Sequence, residues 1–121
     1  MICTKQKYII KAYKSILKIA SGELPLSVAY SFFKLKQALT PQWEFQIEQE
    51  QMLFEKYEPR QLDGDFTFNS EEDRNEFMQK IEDIGMLHVD IEVDPVHVRL
   101  DSDLKMSMED VENLEGFVVF E

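Results

Sequence analysis

The sequence has a single cysteine, Cys3, only four glycines, four prolines and two histidines among 121 residues. A lone thiol closes no intramolecular disulfide, so nothing in the chain calls for an oxidising compartment. The glycines, Gly22, Gly64, Gly85 and Gly116, each stand beside a turn or a helix end, and none belongs to a Gly-rich phosphate loop. No stretch approaches the ~18 apolar residues of a membrane span. Lysines recurring through the first 18 residues argue against a secretory leader, so a cytoplasmic protein without membrane attachment is expected. The chain also lacks a nucleophile elbow, a His-Glu-x-x-His and a Cys-x-x-Cys. Without these constellations no enzyme and no cofactor is expected.

Acidic residues are abundant. The net charge is -11, and it is unevenly placed. Residues 1–43 carry seven lysines (Lys5, Lys7, Lys11, Lys14, Lys18, Lys34, Lys36) against Glu23 alone, while the rest holds six basic and 23 acidic side chains. Such asymmetry bears on partners rather than on fold.

Periodicity gives the elements, in one expected domain spanning 1–121. Tyr8, Ile9, Ala12, Tyr13, Ile16, Leu17 and Ala20 recur at helical spacing, predicting a helix from about Thr4 to Ser21 that ends at Gly22. A second helix is expected from Ser27, as cap, to about Leu39, burying Phe32 and Leu35. Thr40-Pro41 reads as a new helix start reaching Tyr57, or as a bend within one continuous helix. Asp63-Gly64 is a turn, Phe66-Thr67-Phe68 a short strand, and Ser70 the cap of a helix burying Phe77, Met78, Ile81 and Ile84. Leu87 to Leu100 alternates with period two around Pro95; a short helix from Ser107 and a strand over 117–120 close the chain. Helices first and strands later give an α+β class: about three helices layered on a small, mainly antiparallel sheet, with Trp43, Phe54, Phe77, Ile81, Val89 and Ile91 in the core.

Four groups of residues invite a functional reading. His88, Asp90, Glu92 and Asp94 alternate on one strand face with His97 just beyond, a donor set that could ligate zinc or manganese; the competing reading is a solvated strand face. Lys7, Lys11, Lys14 and Lys18 fall at i, i+4, i+7 and i+11 and could meet phosphates. A molecule at -11 repels nucleic acid at long range, however, so direct nucleic-acid binding is disfavoured and pairing with acids of this chain or a second copy is preferred. Glu44, Glu48, Glu55, Asp90, Glu92 and Asp94 could offer an acidic array to a basic protein, or serve solubility alone. Phe33 and Phe45 fall off the main apolar stripes and are candidates for an exposed interface.

The segments ELPLSVAYSFFKLKQAL, LFEKYE, LDGDFTFNSEEDRNEFMQKIEDI and LEGFVVF follow one another in an order that resembles small proteins encoded in tailed-bacteriophage and prophage genomes. That resemblance supplies no site residues. It implies a phage-derived accessory or assembly factor, or an inhibitor of a bacterial enzyme. Taken with the acidic charge, the expected role is to bind a protein partner in the bacterial cytoplasm, either a host nucleic-acid-handling or defence protein that it inhibits, or a phage structural protein or second copy.

Overall fold

The computed structural model describes residues 1–121. In chain order it contains β1 (Ile2–Lys5), α1 (Gln6–Ala20), α2 (Leu26–Tyr57), β2 (Arg60–Leu62), β3 (Asp65–Thr67), α3 (Glu71–Gly85), β4 (His88–Ile91), β5 (Val96–Val98), α4 (Met108–Asn113) and β6 (Val118–Phe120). The class is α+β, with helices dominating the N-terminal half and small sheets in the C-terminal half.

The strands do not form one sheet. They make three two-stranded ribbons: β1 with β4 and β2 with β3, both antiparallel, and β5 with β6, parallel. The first ribbon explains why the N-terminal helix starts later than its periodicity predicts. Residues 2–5 pair with 91–88 instead, which buries Ile2 against the core and gives β4 a hydrogen-bonding neighbour. The alternation over 87–100 is broken at Pro95, which donates no ladder bond, so its two halves join different partners.

Pro41 does not start a new helix. Of the two readings of Thr40-Pro41, the continuous helix is the one that forms, 32 residues and so about 48 Å long. Three features hold the joint. Thr40 Oγ1 donates back to the Lys36 carbonyl at 2.8 Å, a bond that tolerates a bend, and the Tyr13 hydroxyl lies 3.1 Å from the same oxygen. The Tyr13 and Trp43 rings stack at 4.8 Å across it. The carbonyl of Gln37, which loses its usual donor to proline, belongs to an exposed residue where water can serve it. At its start α2 follows Pro25, so Ser27 lies inside the first turn and is no cap. Its end is a left-handed Glu58, with φ 44°, followed by Pro59.

Capping by Ser70 and Ser107 is as expected, each hydroxyl accepting the amide three residues on. Asp63 and Gly64 both take positive φ, 51° and 85°, the pair a tight hairpin demands. At Gly22 the φ is not positive; α1 ends instead with Ser21 in helical geometry, its hydroxyl bonded to the Lys18 carbonyl.

Two apolar clusters sit on α2. The larger joins Ile9, Ile16, Phe32, Leu35, Leu39 and Phe117, among others, from α1, the first half of α2, β5 and the C-terminal segment. A smaller one gathers Leu53, Tyr57 and Phe77 where α3 meets the far end of α2, with Phe68, Ile81 and Ile84 against it. Of the expected core, Phe77 and Ile91 are buried, and Trp43, Ile81 and Val89 are half-buried. Phe54 and Met78 are exposed, because each lies to the side of the line its helix turns inward. Tyr8 and Leu17 of α1 are exposed for the same reason.

Since the larger cluster carries the fold, Phe117→Ala is expected to destabilise by about 3–5 kcal/mol in urea unfolding. Phe66→Ala, on the exposed hairpin, should stay within about 1 kcal/mol. Equal losses would mean that the hairpin aromatic is as much part of the core as Phe117.

Candidate functional site

The site is built by α2 itself. Phe32, Leu35, Leu39, Gln46, Leu53 and Tyr57 turn inward along the helix. A helix that rotates 100° per residue then carries Leu26, Tyr30, Phe33, Gln37, Glu44, Glu48, Gln51 and Glu55 on the opposite side. Every one of these is exposed. The first half of the line is apolar: Leu26 is 86% exposed, Tyr30 59% and Phe33 56%. The Tyr30 and Phe33 rings stack at 6.3 Å, with Lys34 Nζ 5.5 Å above the Tyr30 ring. The second half is acidic, and none of Glu44, Glu48 or Glu55 has a basic group within ion-pair reach. Large apolar side chains left in water on a rigid helix are the kind of surface that a partner covers.

Of the residues singled out for partner binding, Phe33, Glu44, Glu48 and Glu55 therefore fall on one line. Glu92 and Asp94 lie beside its apolar half, lining a depression of about 270 Å³ with Ser31 and Lys34. Phe45 is on a neighbouring line at the edge of the face, and Asp90 is away from it, opposite Cys3 in the β1–β4 ribbon. There Asp90, chiefly by its hydrogen bond and then by its charge, raises the Cys3 thiol above its ordinary pKa and makes it a poorer nucleophile. Tyr30 and Leu26 were not singled out in the sequence. Their signal was the four-residue spacing from Leu26 to Tyr30, set opposite Phe32 and Leu35.

The metal reading fails on geometry. His88 and Asp90 belong to β4, His97 to β5, and His97 Nδ1 sits 2.5 Å from Glu121 Oε1. Glu92 lies beyond the end of β4, and no three His, Cys, Asp or Glu side chains converge as ligands. The break at Pro95 puts these residues on different ribbons, and it is the separate partners of the two strands that the alternation did not foretell.

Lys7, Lys11, Lys14 and Lys18 share one exposed side of α1, as their spacing implies. Beside them lies α4, and the two are joined by a polar lock. Asp110, 5% exposed, takes Ser15 Oγ at 2.9 Å and Lys18 Nζ at 3.1 Å, while Asn113 Nδ2 donates to Ser15 Oγ at 3.1 Å. Burial acts most strongly on Asp110 and opposes its charge. The bonds from Lys18, Ser15 and the Ser107 cap, with the Lys18 charge, outweigh it and hold the carboxyl below the usual carboxylate range. Ser15 is buried, and its hydroxyl donates to Asp110 and accepts from Asn113. Lys11 and Lys14 share a depression of about 440 Å³ with Glu109 and Glu112 of α4. Sequence reasoning missed Ser15 and Asp110, although Asp110 stands three residues after the capping Ser107.

Comparison with protein-family models, curated proteins and solved structures finds no match to this chain.

The lock predicts a pH dependence. A carboxyl whose folded pKa is depressed contributes stability above its unfolded pKa of about 3.9, and loses it as pH falls through the folded value. Asp110→Ala is expected to lower stability by about 1.5–3 kcal/mol at neutral pH. It should also flatten the stability profile below about pH 4, as followed by urea titrations at several pH values. An unchanged acid limb would mean that Lys18 and Ser15 do not favour the ionised form.

Proposed function

We propose that this chain is a non-catalytic docking domain that binds a basic protein partner along the outer face of α2. The single observation that carries the reading is that face: Leu26, Tyr30 and Phe33 exposed in line with the unpaired Glu44, Glu48 and Glu55 on one uninterrupted helix. An apolar patch supplies the affinity, centred on aromatic anchors. A line of carboxylates sets orientation and on-rate toward a surface rich in Lys and Arg. Proteins that handle nucleic acid present such surfaces, so a carboxylate line can occupy a groove meant for phosphates. The resemblance to phage-encoded proteins favours a target inside a bacterial cell, bound and inhibited by this domain.

Nucleic-acid binding through Lys7, Lys11, Lys14 and Lys18 has less support. Lys18 is engaged by Asp110, which leaves Lys7, Lys11 and Lys14 to hold a polyanion against a net charge of -11.

The test is capture from bacterial lysate with protein and nucleic acid both analysed, followed by binding measurements on the captured partner. Phe33→Ala is expected to weaken binding by more than about tenfold. Reversing Glu44, Glu48 and Glu55 to Lys should slow association and remove most of its salt dependence. Nucleic acid in the eluate, lost on neutralising Lys7, Lys11 and Lys14, would replace this reading with the other.

A further inference from the structure

The outer faces of α1 and α2 carry opposite charges with one spacing. Lys7, Lys11, Lys14 and Lys18 stand at steps of four, three and four, and so do Glu44, Glu48, Gln51 and Glu55. Each set covers twelve residues of helix, eleven rises and so about 16 Å. The step pattern reads the same in both directions, so the two lines superimpose whether the helices run parallel or antiparallel. All eight side chains are exposed. Within the molecule only Lys18 finds a carboxylate within 4.0 Å; Lys7, over the Tyr8 ring, Lys11 and Lys14, beside Glu109 and Glu112, and the three glutamates of α2 form no ion pair. Exposed apolar side chains flank both lines, Tyr8 and Leu17 on α1, Ile47 and Met52 on α2.

The two faces cannot meet inside one molecule, because α1 and α2 pack together through their opposite, buried sides. We infer that the outer face of α2 also accepts a second copy of this chain, presented through the lysine line of α1. This rests on the reading of that face as the docking surface and adds its regulation: a second copy competes with the basic partner for the same carboxylates. The contact joins two different faces, so it is heterologous and propagates into rings or open chains rather than stopping at a two-fold dimer.

Charge gives the association a distinctive salt profile. Two copies at -11 repel at long range, most strongly at an ionic strength of about 0.01 M, where screening extends to ~30 Å. At about 0.1 M the screening length is ~10 Å, so the overall repulsion fades while lines in direct contact still attract. At about 1 M, ~3 Å of screening removes the contact attraction as well. Association should therefore pass through a maximum near 0.1 M, whereas purely apolar association would keep rising with salt.

Sedimentation equilibrium on the full chain tests this directly. The expected result is a weight-average mass that rises with protein concentration near 0.1 M salt and returns to the monomer at both extremes. The triple variants Lys7→Glu/Lys11→Glu/Lys14→Glu and Glu44→Lys/Glu48→Lys/Glu55→Lys should each lose association by at least about tenfold. Mixing the two variants should restore it, because each then meets the opposite charge. A wild-type chain that stays monomeric at every salt overturns the inference and needs no variant to do so. So does a variant that self-associates alone. If the wild type is monomeric but the glutamate variant loses its captured partner, the second-copy inference falls and the docking face stands. If partner capture survives both the glutamate variant and Phe33→Ala, the docking face falls.

Discussion

Replacing the amide hydrogen of residue 41 with a pyrrolidine ring removes one rung of a helix and crowds the turn before it, at a usual cost of about 3 kcal/mol. In this molecule Leu26–Tyr57 runs on regardless, and the rest of the architecture depends on that continuity. The Tyr13 hydroxyl at Thr40, and the Tyr13–Trp43 stack beside it, tie the joint to α1. Because α2 does not break, one helix serves both apolar clusters, with Leu35 and Leu39 in the larger and Leu53 and Tyr57 in the smaller. A helix occupied on one side over its whole length presents its other side over its whole length too. The line from Leu26 to Glu55 is the geometric consequence.

Charge is arranged around this spine at two levels. On α1, the lysines lie alongside α4, and the exposed Lys18 closes over the buried Ser15 and Asp110 in the lock that joins α4 to α1. Such a lock gains from several hydrogen bonds at once, so it differs from an isolated surface ion pair, which contributes little. Along α2, the carboxylates have no internal partners and remain available to another molecule. Lys18 is thus spent inside the domain, while the rest of the lysine line and the carboxylates of α2 stay exposed as surfaces of opposite charge.

Much of this was legible in the sequence, for reasons that can be named. Helix caps at Ser70 and Ser107 and the Asp63-Gly64 turn were readable because each depends on one side chain or one dihedral. The α+β class followed from the order of periodicities, and the lysine line of α1 from simple spacing. Strand pairing was not readable: Thr4 and Lys5 look like the start of a helix until β4 is there to pair with residues 2–5. Parallel pairing of β5 with β6 likewise depends on contacts about twenty residues apart in the chain. On α2, Phe33 and the glutamates were found because they lie off the apolar stripe. Phe54 was misplaced because the inward line of Phe32, Leu35 and Leu39 continues at 100° per residue to Leu53 and Tyr57, which leaves Phe54 to one side.

The central claim is that the outer face of α2 is where this domain meets its partner. Photo-crosslinking amino acids placed singly at Tyr30, Gln51, His88 and Val119 test it most directly, since all four positions are exposed and only the first two lie on that face. The account predicts that Tyr30 and Gln51 crosslink to the same basic protein and that His88 and Val119 do not. Crosslinks from His88 or Val119, with none from α2, would place the interface on the ribbons and contradict it.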